Sequence, residues 1–92
     1  MGYTKESAVE AARNDLARRL KIDAGGIGSS ASESDFPDMS LGAGEKGEMS
    51  AQMIATGWII TLGADGKNYE YRADKYSLRL RGFNGTNYLV KS

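Results

Sequence analysis

The sequence contains no cysteine and no histidine. Without cysteine there is no disulfide framework and no thiolate nucleophile. Without histidine the most common general base, the usual zinc ligand and the side chain that titrates near neutrality are missing. Proline occurs once, at Pro37. The apolar runs are a few residues long, far short of the roughly 20 needed to cross a bilayer as a helix, so no membrane insertion is expected. The 12 basic and 12 acidic side chains cancel, and a chain with no net charge has no overall field to draw it to nucleic acid. No cofactor, no metal and no nucleic-acid partner are expected.

What is present suits one small domain. Of the 92 residues, 40% are hydrophobic and 26% charged, which is enough apolar surface to fold and enough for one modest core. The charge is unevenly spread. Residues 23–50 carry six acidic groups against one basic, whereas the segments on either side are net basic.

From Thr4 to Lys21 the residues Ala8, Val9, Ala12, Leu16 and Leu20 return every three or four positions, the spacing of an amphipathic helix. Thr4 is placed as its N-cap and Glu6 in its first turn. Arg18, Arg19 and Lys21 suit the negative end of the helix dipole, and Gly25-Gly26 supplies a stop. Residues 23–51 read mainly as loop. Within them Ile27 to Asp35 is compatible with a short strand or with loop, because serines at 29, 30 and 32 weaken the strand signal.

The second half carries three two-residue turn signals, Asp65-Gly66, Asp74-Lys75 and Asn84-Gly85. They predict strands near 52–62, 68–73, 76–82 and 87–91. Taken literally, they pair Leu62 with Tyr69, Ile60 with Tyr71 and Trp58 with Ala73. They then pair Tyr71 with Leu78, Tyr69 with Leu80, and Leu80 with Leu89. This register sorts Trp58, Ile60, Leu62, Tyr69, Tyr71, Leu78, Leu80 and Leu89 onto one face, and Thr61, Glu70, Arg72, Arg79, Arg81 and Tyr88 onto the other. The predicted fold is α+β: an N-terminal helix packed on one face of an antiparallel meander of about four strands.

The stretch Phe36-Pro37-Asp38-Met39-Ser40-Leu41-Gly42, with Gly47, Ala51-Gln52, Thr56-Gly57, Ile59 to Leu62, Gly66 and Tyr69-Glu70-Tyr71 after it, resembles an uncharacterised family of small bacterial domains. Those domains read Trp-Pro-Asp-x-Ser-Leu-Gly-Cys-Pro-x-Pro-Gly followed by a Tyr-x-Tyr strand. Here Phe36 stands for the Trp, Ala43 for the Cys, and Gly44 and Lys46 for prolines, so nothing that a disulfide does in such relatives carries over. The resemblance implies export from the cell. Its helix-then-sheet order is similar to PepSY-type domains, some of which are associated with secreted peptidases.

Five readings of possible chemistry follow from the residues. Glu33, Asp35, Asp38, Glu45 and Glu48 are potential calcium ligands, but their spacing is not that of an EF-hand. A carboxylate pair for glycoside hydrolysis needs a cleft that so short a chain has little room to build. Arg72, Arg79 and Arg81 beside Ile59 and Tyr88 suggest a nucleic-acid face, although solvated sheets often carry arginines. Glycines 42, 44 and 47 imitate a phosphate loop without the strand-to-helix context that one requires. Trp58, Tyr69 and Tyr71 are read as core. A non-catalytic module that binds another protein is therefore expected, with the long loop 36–49 as its recognition surface. Its candidate residues are Phe36, Asp38, Met39, Leu41, Glu45, Lys46 and Met49. The alternative, implied by the PepSY-like order alone, is an inhibitor or folding partner of a secreted peptidase.

Overall fold

The computed structural model describes residues 2–91. Helix α1 runs Lys5–Leu20, one residue inside the predicted bounds at each end. Thr4 is its N-cap and makes a capping box with Ser7, each side chain bonding the other residue's backbone N–H. The stop is not the glycine pair. Lys21 itself takes the left-handed conformation (φ 57°), its N–H bonds the Ala17 carbonyl, and Ala24–Gly26 form a short 3-10 turn capped by Asp23.

Five strands follow in a simple meander: β1 (Gly28–Phe36), β2 (Ala55–Ala64), β3 (Lys67–Asp74), β4 (Leu78–Phe83) and β5 (Thr86–Lys91). Each pairs antiparallel with its sequence neighbour in one sheet, in the order β1-β2-β3-β4-β5. The serine-rich segment left open by its composition is thus a full edge strand, and the sheet has five strands instead of about four.

The three turns differ in how far they obey the predicted register. Asp65 and Gly66 both have positive φ, as a type I′ turn requires, and β2 and β3 pair as expected: Trp58 with Ala73, Ile60 with Tyr71, Leu62 with Tyr69. At the second turn the loop residues are Lys75 and Tyr76, not Asp74 and Lys75. Asp74 closes the turn instead, with one carboxylate oxygen accepting from the N–H groups of Tyr76 and Ser77, both at 2.8 Å. Tyr71 therefore faces Leu80, and Ala73 faces Leu78. The slip is two residues, so every side chain stays on its predicted face.

The third turn corrects a face. Asn84-Gly85 makes the expected bend, but the register shifts between Leu80 and Phe83, where Gly82 has φ 71° and donates to the Asn87 side chain. This bulge sets Leu80 opposite Tyr88 and Arg79 opposite Leu89. Tyr88 accordingly packs with the main core, against the expectation for it, and Leu89 leaves that face.

The main core joins Ala8, Ala12 and Leu16 of α1 to Ile60, Leu62, Tyr71, Leu78 and Leu80 of the sheet, all fully buried. Small alanines let the helix lie close on the strands. One polar group enters this layer. Asp15, 5% exposed, accepts from the Tyr71 hydroxyl at 2.7 Å and from Arg19 Nε at 2.6 Å. Burial and the bond to Asp15 both push the Tyr71 hydroxyl above its ordinary 10, so it remains a neutral donor. Arg19 in turn lies over the rings of Tyr88 and Phe83, at 4.7 and 5.6 Å.

Candidate functional site

The loop expected to be an open recognition surface is folded down on the sheet face opposite the helix. Phe36, Leu41 and Ala55 are buried together, with Met39 and Ile59 packed against them. Ile59 belongs to the outer face of β2, so this small cluster is a second core.

Two arginines fasten the strap. Arg72 and Arg79 are direct cross-strand neighbours on β3 and β4, an unfavourable pairing of like charges unless each is neutralised separately. Arg72 bonds Glu70 at 2.7 Å and donates to the Leu41 carbonyl at 2.9 Å. Arg79, 4% exposed, makes a two-pronged pair with Glu48, both contacts 2.6 Å. Farther along, Asn87 donates to the Gly44 carbonyl at 2.9 Å, and Glu45 accepts the Leu89 backbone N–H at 2.8 Å on the outer edge of β5. Gly42 adopts φ 67° directly against the Arg72 guanidinium, where a side chain would displace it. The glycines of the phosphate-loop reading thus shape the strap, and two of the three arginines of the supposed nucleic-acid face lie under it.

The Glu48–Arg79 pair is the latch with two charged contacts. The Arg79 bond, foremost, holds the Glu48 carboxyl at about 2, below its ordinary 4.5. A depressed carboxylate contributes stability that is complete above about pH 4.5 and is lost as pH falls toward 2. The Glu48 side chain is 23% exposed, and allowing for solvent screening, Glu48→Gln is expected to lower stability by about 2 kcal/mol. Thermal melts of the two proteins should differ fully at neutral pH and converge in strong acid. A difference that persists unchanged at low pH would assign the effect to shape instead of charge.

The seven candidate residues therefore separate. Phe36 and Leu41 are buried, and Asp38 is spent on its own turn, accepting from the Ser40 backbone and hydroxyl. Those bonds hold the Asp38 carboxyl below its ordinary range. Glu45, Lys46 and Met49 are exposed, Met49 at 95%. Met39 is half-buried and touches something the sequence did not reveal.

That feature is a groove of about 590 Å³ at the end of the sheet where α1 begins. Met39, Met53, Ile54, Trp58, Tyr3 and Tyr76 supply its apolar surface. Met53 is 64%, Ile54 75% and Tyr76 63% exposed, an unusual concentration of large apolar side chains in water for so small a chain. The rim carries Lys5 and Lys75. Asp74 also lines it, but its carboxylate accepts the two N–H groups and the Ser77 hydroxyl of its own turn. Trp58, expected in the core, is half-buried and contributes to both the core and the groove. Ile54 and Tyr76 were not foreseen. Their only signal is that each is apolar and falls just outside a strand, where no core partner waits.

A family model described as a domain of unknown function, DUF8738, matches residues 9–81, from the first turns of α1 through most of β4. The chain belongs to this family. The match spans most of α1, residues 36–49 with both arginine latches, and Met53, Ile54, Trp58 and Tyr76 of the groove, while Tyr3 and Lys5 of the groove lie before it. No curated protein and no solved structure matches the chain significantly. Among the described residues no helix is long and apolar enough to cross a membrane.

Proposed function

We propose that this domain is a non-catalytic binding module that receives an extended apolar segment of another protein in the groove between Tyr3, Ile54, Trp58 and Tyr76. The observation that carries this reading is the exposure of Met53, Ile54 and Tyr76 around one concave surface. Aromatic and methionine side chains give broad, adaptable contact area at low cost in lost rotamer freedom. The charge at the rim selects the partner further. With Asp74 turned into its own loop, Lys5 and Lys75 leave the mouth positive, so the segment carries a carboxylate near its apolar anchors. The recognition surface is thus one end of the strap, through Met39, together with residues 53–58.

Selection of random displayed peptides on the wild-type domain tests the reading, with Ile54→Asp as counter-target. Ile54 is exposed, so the substitution leaves the fold intact while placing a charge in the groove. Apolar, acidic peptides should be enriched on the wild type, and their affinity should fall roughly a hundredfold on Ile54→Asp, as for loss of a central anchor. Equal binding to both proteins would remove the groove from consideration. Exported peptidases, the partner class implied by PepSY-like order, belong in the same assay as baits.

A further inference from the structure

We infer that the free edge of β1 is a self-association surface, on which a second copy of this chain pairs antiparallel to give a continuous ten-stranded sheet with both helices on one face. The two sheet edges are treated differently. On β5 the pairing is broken by register shifts, the strand is six residues long, and Glu45 of the strap caps the Leu89 N–H. These are the usual devices that stop an edge from recruiting another strand. On β1 none of these three is present, and its only charged residues are Glu33 and Asp35. Nine consecutive residues pair with β2 without a shift, no proline or lysine interrupts them, and the opposite side meets no other strand.

Charge placement selects a second copy as the occupant. Ser29, Ala31 and Glu33 sit opposite Leu62, Ile60 and Trp58, on the helix side of the sheet. Arg13 of α1 reaches down to this side and donates to Ser29 Oγ at 2.9 Å, while its only carboxylate neighbour among the described residues, Glu10, is 3.7 Å away. Its Nε is buried without a partner. Glu33 is exposed and, among the described residues, meets no cation. A two-fold axis at Ala31 sets Ala31 against its own copy and Glu33 opposite Ser29 of the second copy, beside that copy's Arg13. Symmetry makes the pair twice. Sliding the register toward the end of β1 sets Glu33 and Asp35 against one another, so like charges oppose that alternative. The same axis covers the shallow notch beside the edge, where Val9 and Ala31 are its apolar lining.

Sedimentation equilibrium from low-micromolar to millimolar concentration reads the association directly. The wild type should dimerise reversibly. Glu33→Arg and Arg13→Glu should each weaken the dimer roughly tenfold or more, since every swap turns two attractions into two repulsions, and the double variant should restore it. Glu33 is exposed, so its variant keeps the monomer fold even if Arg13→Glu does not. The absence of cysteine from the chain permits a second readout: Ala31→Cys should oxidise to a covalent dimer under native conditions and not in urea. A monomer at every concentration, a dimer indifferent to both swaps, or no native cross-link at Ala31 would overturn the inference. The groove and this edge both reach the start of α1, where Lys5 lines each of them, but Ile54 lines only the groove and Glu33 stands only on the edge strand, so the failure of one under Ile54→Asp and of the other under Glu33→Arg are separately visible.

Discussion

Replacing Asp15 by alanine should cost about 3 to 5 kcal/mol, the range for removing one partner of a buried charged pair. The carboxylate is nearly enclosed between α1 and the sheet, and it takes two short bonds, from Tyr71 and Arg19. Its loss strands a buried hydroxyl inside the core and leaves the guanidinium over Tyr88 without its counter-charge. A domain of this size is stable by roughly 5 to 14 kcal/mol, so the change consumes a large share of that. Chemical denaturation of the variant measures it. The double variant Asp15→Ala/Tyr71→Phe should recover part of the loss, because the orphaned hydroxyl goes with it. A single variant as stable as the wild type would mean that the buried cluster contributes nothing.

The second large effect is steric. Gly57 pairs with Asp74 at the end of the β2–β3 ladder, and a Cβ there would run into the Ala73 carbonyl. Backbone cannot rotate away as a side chain can. Gly57→Ala is expected to destabilise by about 3 kcal/mol through overpacking and forced separation of the two central strands, lowering the melting temperature by at least 10 °C. Gly57→Val should fail to fold. Alanine tolerated there without a shift in the melting temperature would contradict the strand pairing described.

Much of the core was legible in the sequence, and the reasons differ by element. Asp65-Gly66 is a strong local signal whose geometry leaves little choice, so the pairing of β2 with β3 is legible residue for residue although β2 starts three residues later and ends two later than its pattern predicts. Asp74 misled by two positions because an aspartate serves equally as a turn's central residue and as the side chain that caps it. Parity protected the faces from that error. Nothing protected Leu89 and Tyr88, since a bulge at Gly82 looks in sequence like any glycine near a strand end. The nine residues of β1 were ambiguous for a different reason: an edge strand with little to bury has no alternation to read. The strap was the largest omission. Its length suggested an open loop, whereas its bonds to Arg72, Arg79 and Asn87 are contacts across thirty and more residues that no local pattern encodes.

For the candidate site the same logic applies. Phe36 and Leu41 looked like exposed anchors because the second core they build needs the outer sheet face to exist first. Met39, a candidate only as part of the loop 36–49, does reach the groove. Ile54 and Tyr76 converge there from the start of β2 and from the β3–β4 turn.

Amide chemical-shift mapping with a peptide selected on the wild-type domain tests the location of binding most directly. Shifts gathered at Tyr3, Met53, Ile54, Trp58 and Tyr76, with Glu45 and Lys46 unmoved, are the predicted result. Shifts centred on Glu45, Lys46 and Met49, with Trp58 silent, would show that the exposed crest of the strap binds and that the groove does not.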